Sequence, residues 1–184
     1  MLAGPSPARS CSPAGAPIGR YTSVLSAISA GILHVGIAPM LVIGGVRPNV
    51  VLVFVVVITA VFGFGHGIVW AFVAGTTANV LGFEPLGLVP FGLLVAAALV
   101  GGAERAVGRL TWLVPLAAAA ASVAYDAVAL GVLGLLGLGV RDPDPLGVML
   151  PAAMLNAAAA AVVFVPVFVL GRRALDGQAG IAAR

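Results

Sequence analysis

From Val50 to Leu81 the chain carries no Asp, Glu, Lys or Arg. The same holds from Tyr21 to Val46, from Pro85 to Ala103 and from Pro145 to Gly171, and between Thr111 and Val140 the single charge is Asp126. Uncharged runs of this length dictate the solvent. A water-facing exterior draws on roughly a quarter of a domain's residues being charged. Here 8% are charged and 61% hydrophobic, with a mean hydropathy of +1.19. Most side chains must therefore face lipid or other helices. The runs are continuous and do not alternate, which argues against a β-barrel. The expected fold class is an all-α integral membrane protein, a six-helix transmembrane bundle.

A spanning helix takes about 20 apolar residues, within a range of about 17–25. Charges and Gly/Pro punctuation divide the chain into segments at about 21–43, 50–62, 67–81, 85–101, 111–139 and 147–170. Arg47-Pro48-Asn49 breaks the first from the second, because proline lacks a donor and the residue before it avoids helix. The run 50–81 is too long for one span: at 1.5 Å per residue it would reach about 48 Å, against a hydrocarbon core of about 30 Å. Gly63-Phe64-Gly65-His66-Gly67 offers a turn in its middle, so the expectation is two short helices with His66 in the loop, accommodated by membrane thinning or by partner helices. Glu104, Arg105 and Arg109 are read as one polar loop, and Arg141-Asp142-Pro143-Asp144-Pro145 as another. Residues 1–20, with four prolines and no apolar core, read as a disordered cytoplasmic tail, and 174–184 as a second tail.

Charge placement predicts orientation. With six spans, Arg9, Arg20, Arg105, Arg109, Arg172, Arg173 and Arg184 gather on one side. The other side receives Arg47 and Arg141 with the acidic Glu84, Asp142 and Asp144. By the positive-inside rule both termini are expected in the cytoplasm, in a multi-pass plasma-membrane protein. The nine basic residues, all arginine, against six acidic give a net charge of +3. They are scattered between apolar runs and form no basic face, so no nucleic acid is expected as a partner. Cys11 is the lone cysteine and permits no intramolecular disulfide.

Polar residues inside lipid mark either helix contacts or function. Asp126, in the fifth segment, reads first as a group hydrogen-bonding across helices to Asn79, Asn156 or Tyr125, and second as a proton relay or ligand site. Asn79 and Asn156 read as bridges between helices, each contributing less than about 2 kcal/mol. His34 and His66 have no ligand-like spacing, and no phosphate loop or nucleophile–base arrangement appears. Hence no enzyme activity, metal or cofactor is expected. Gly63/Gly67, Ala71/Gly75 and Ala120/Ala124 lie four apart and allow helix backbones to approach closely.

The order of these features resembles a known family. A helix ends before Arg47-Pro48-Asn49, and an apolar helix and a glycine turn follow. An Ala/Gly-rich helix ends in Asn79, and Pro85-Leu86-Gly87-Leu88 opens the next. Tyr125-Asp126 lies in the fifth segment and Leu155-Asn156-Ala157 in the last, before Arg172-Arg173. This pattern, across about 25–173, is similar to the rod shape-determining protein MreD. Positions 49 and 79, where the family often carries Asp, hold Asn, which removes charge but keeps hydrogen bonding. The resemblance implies a non-catalytic scaffold of the bacterial elongation machinery that helps organise peptidoglycan synthesis. Its implied partners are an MreC-like protein and, through it, MreB, a RodA-type polymerase and a class B penicillin-binding protein. On that reading the partner's membrane helix packs on a small-residue face containing Gly75 and Ala124, with Asp126 and Asn156 tuning the interior. The alternative is the substrate-binding membrane subunit of an energy-coupling-factor vitamin transporter. His34, Asn79, Asp126 and Asn156 would then converge on a ligand, with Ala27 and Gly31 on a docking face.

Overall fold

The computed structural model describes residues 17–43, 45–108, 112–138 and 144–182. Six helices account for nearly all of them: α1 (Pro17–Ile37), α2 (Val50–Phe62), α3 (Phe64–Leu81), α4 (Leu88–Val107), α5 (Val114–Leu135) and α6 (Pro145–Ala182). A short 3-10 turn, Ala38–Met40, follows α1, and an isolated antiparallel bridge joins Ile43 to Val46. The chain is an all-α membrane bundle, and all its helices except α2 are long and apolar enough to cross a bilayer.

α2 is the organising element. Its sequence, VVLVFVVVITAVF, is apolar on every side, so it has no face to offer water and must be surrounded. Val51, Leu52, Val53, Val55, Val56 and Val57 are all at most 2% exposed. The other helices pack around it in the order α1–α3–α4–α5–α6. α1 and α6 do not form a packed pair, so the surround has one seam. At 13 residues α2 is about 20 Å long, short of the hydrocarbon thickness of about 30 Å. The mismatch needs no thinning of the membrane, because the neighbouring helices, not lipid, cover α2.

Several expected boundaries move. The α2–α3 turn is Gly63 alone, at φ +90°, a conformation that disfavours side chains. His66 is therefore not a loop residue: it lies in the first turn of α3, with Nδ1 3.0 Å from the Phe62 carbonyl. α4 continues through Glu104 and Arg105, which are helical and not in a loop. Nothing in Gly101-Gly102-Ala103 breaks a helix that Phe64 buttresses from the side; a Cβ at Gly101 would overlap the Phe64 ring. α6 runs on through 174–182. Residues 1–16, Arg109, Arg141, Asp142 and Arg184 lie outside the described residues.

Small residues set the helix spacing. A Cβ at Gly31 of α1 would come within 2.8 Å of the Ala74 carbonyl oxygen on α3. One at Gly75 would come within 2.8 Å of the Pro90 backbone on α4. Gly92 of α4 receives the Tyr125 ring of α5. Backbones this close gain dispersion contacts that lipid tails cannot match, which is what drives association in a bilayer.

Candidate functional site

Where α2 begins, the bundle opens into a cleft of about 450 Å³. Its floor is tied down by three polar side chains from three helices. Asn49 caps α2: its Oδ1 accepts from the Leu52 N–H at 3.1 Å, satisfying one of the four donors a helix start leaves orphaned. The Asn49 backbone N–H donates to Asn156 Oδ1 of α6 at 2.7 Å. Asn156 Nδ2 in turn donates to Ser122 Oγ of α5 at 2.8 Å. Asn156 and Ser122 are at most 2% exposed, so in this apolar setting each bond replaces a group that would otherwise go unsatisfied. Pro48 is buried beneath this corner, while Arg47 is exposed at its edge.

Asn79 does different work. It is 3% exposed at the end of α3 and holds the α3–α4 connection, not another helix. Its Nδ2 donates to the Glu84 and Pro85 carbonyls at 3.2 and 3.1 Å, and its Oδ1 accepts from the Gly87 N–H. A carboxylate at 79 could accept the last bond but could donate neither of the first two.

The walls of the cleft come from α1 (His34, Val35), the segment after it (Ala38, Pro39), α3 (Ala78) and α6 (Ala152). Its polar lining is His34, Arg47, Asn49, Tyr125, Asp126 and Asn156, with Glu84 beside the apolar Phe83 on the α3–α4 side. Asp126 makes none of the expected hydrogen bonds to Asn79, Asn156 or Tyr125 among the described residues; it faces the cleft. The His34 Nδ1 is buried with no hydrogen-bond partner. Glu84, in the connection outside the spans, has its carboxyl pushed above its ordinary range by loss of water around it. Among the described residues no group of three or more His, Cys, Asp or Glu is placed to hold a metal ion.

The fold thus gathers His34, Asp126 and Asn156 at one place and leaves Asn79 beside it. Gly75 is buried against α4, and Ala124 is half-buried on α5. Ser122 is the site residue that sequence alone could not single out. A serine in an alanine-rich helix gives no signal until the register of α5 against α6 places Asn156 opposite it.

Helix lengths set the depth of the cleft floor, with the other end of α2 taken as one hydrocarbon boundary. At the far end of α2 lie the Gly63 turn and Arg105, whose guanidinium sits 4.7 Å from the centre of the Phe64 ring. Measured from that end, the start of α2 falls about 10 Å short of the opposite hydrocarbon boundary. α6, by contrast, begins 11 residues before Asn156, so it rises about 16 Å above the floor.

Compared with known proteins, the chain matches the family model of the rod shape-determining protein MreD over residues 18–174. No individually curated protein matches it.

Proposed function

Because the chain belongs to the MreD family of rod shape-determining proteins, we propose that it acts there as a non-catalytic scaffold. On this reading it sits in the plasma membrane with both termini in the cytoplasm and gathers the elongation machinery by binding the membrane helix of an MreC-like protein. MreB, a RodA-type polymerase and a class B penicillin-binding protein would be reached through that partner. The connections between helices are short, and the longest between described helix ends includes a 3-10 turn and a bridge. Partners must therefore meet helix faces.

The observation that carries this reading is the outer face of α1. Thr22, Ser26, Ser29 and Gly36 follow one another at helical spacing, and all are exposed. The Ser26 hydroxyl donates back to the Thr22 carbonyl at 2.8 Å and the Ser29 hydroxyl to the Leu25 carbonyl at 2.9 Å. With their hydroxyls bonded back to the helix, Ser26 and Ser29 offer a second helix small side chains flanked by the exposed Leu25, Ile32 and Leu33. The face containing Gly75, favoured by sequence spacing, is already occupied by α4, so a leucine there would damage the protein's own packing. Ser26→Leu/Ser29→Leu should reduce co-purification of the MreC-like protein by about ten-fold while leaving the bundle folded. Unchanged recovery would remove α1 as the docking face.

The convergence of His34, Asp126 and Asn156 on one cleft favours a second reading, a membrane subunit that captures a small soluble molecule. A vitamin-sized mass retained by the purified protein in a native mass spectrum would move the assignment to that class.

A further inference from the structure

The scaffold reading makes no use of the charges in the cleft. Arg47, Glu84 and Asp126 all line it, and none of their side chains has an ion-pair or hydrogen-bond partner among the described residues. One guanidinium, two carboxyl groups and the unpartnered His34 Nδ1 surround a space otherwise lined by Asn49, Tyr125 and Asn156 and by apolar side chains. Arg47 and Glu84 stand at the exposed rim, while His34 and Asp126 are half-buried, where such groups are costly to leave alone and mark sites of interaction.

The geometry limits what could answer them. The floor lies about 10 Å inside the hydrocarbon boundary, and the surrounding helices leave a seam between α1 and α6, the two helices that supply His34 and Ala152 to opposite walls. The volume, about 450 Å³, takes a polar head but not two acyl chains. Leu41, Val42 and Ile43 on one side and Leu146 and Leu150 on the other are exposed apolar side chains, suited to chains lying outside. An anionic headgroup would set its charge against two carboxyl groups. A head carrying both a phosphodiester and an ammonium matches one cation and two anions.

We propose that the cleft binds the headgroup of an amine-headed zwitterionic phospholipid, of the ethanolamine type, drawn from the surrounding leaflet. The phosphodiester lies against Arg47, the ammonium against Glu84 and Asp126, and the acyl chains leave through the α1–α6 seam. An ammonium has three donors; His34 Nδ1, where it carries no proton, supplies a further acceptor.

The test is native mass spectrometry of the full-length protein released from mild detergent, after exchange with equal amounts of phosphatidylethanolamine and phosphatidylglycerol. One phosphatidylethanolamine should stay bound in preference to phosphatidylglycerol. Arg47→Gln should lower the retained fraction about ten-fold, as expected for loss of a charge-assisted bond. Glu84→Gln/Asp126→Asn should do the same, and Arg105→Gln at the far end should do nothing. Arg47 is exposed at the rim, so its variant tests the site even if the double variant fails to fold. Free phosphoethanolamine without chains should displace the lipid poorly. Equal retention of phosphatidylglycerol, unchanged retention in Arg47→Gln, displacement by the free headgroup at matching concentration, or a bound mass that is not a phospholipid would each overturn the proposal.

Discussion

The two ends of α2 are built on opposite principles. At the Gly63 end the helices pack tightly: a Cβ on Gly67 would fall on the Thr59 hydroxyl, and Phe64 fills the space over Gly101. Thr59 itself turns its hydroxyl back to the Val55 carbonyl at 2.6 Å, leaving nothing polar for a ligand. At the Asn49 end the backbones separate and polar side chains span the distance, Asn156 to Asn49 and Ser122, Asn79 to the α3–α4 connection. Close packing needs no specific partner and closes the space. Hydrogen bonds have fixed length and direction, so they can hold helices apart around a cavity. The contrast teaches that a bundle with almost no charge can still build a site by choosing which end to close.

The largest effect should come from the closed end. Gly67→Leu forces α2 and α3 apart and should cost about 3 kcal/mol, read as a lower melting temperature and loss of monodisperse protein in detergent. Asn156→Leu should rank second, at about 2 kcal/mol, because it orphans the Asn49 N–H and Ser122 hydroxyl together. Adding Ser122→Ala should then cost less than it does alone, as residues of one network couple. If Asn156→Leu proved costlier than Gly67→Leu, packing would not be the stronger of the two devices. Asn79→Asp should cost about 1 kcal/mol and act locally, raising hydrogen exchange across 82–87 while leaving the floor protected. The smallest effect is a pH dependence. The folded state raises the Glu84 carboxyl above its ordinary value, so it favours the protonated form. The stability this lends is complete below the ordinary carboxylate range and is lost as pH rises through the raised folded value. Glu84→Gln should flatten that part of the stability–pH curve; an unchanged slope would show that the carboxyl is fully solvated.

How much of this was legible in the sequence depended on how local the cause was. The bounds of α2 could be read directly, because Pro48-Asn49 and Gly63 terminate a helix through their own backbones. The start of α3 and the end of α4 were misjudged where glycines and charges looked like breaks: Gly65, Gly102, Glu104 and Arg105 are all helical. Asn156 and Asn79 stood out as polar residues in apolar runs, but their different tasks, bridging three helices and clamping one connection, follow from register that no single segment encodes. The small-residue face was misplaced for the same reason. Spacing found Gly75, while only the packing reveals that α4 already covers it.

The single-residue joint at Gly63 bears on how the chain enters the bilayer in the first place. α2, with its 13 residues, emerges from the ribosome too short to bridge the membrane, and it has no flanking arginine at its trailing end to anchor it there. Once α3 follows, the joint folds the two back on each other, and they can partition as one antiparallel unit. The joint thus lets the core partition as a pair, its short central helix matched by the next one along the chain.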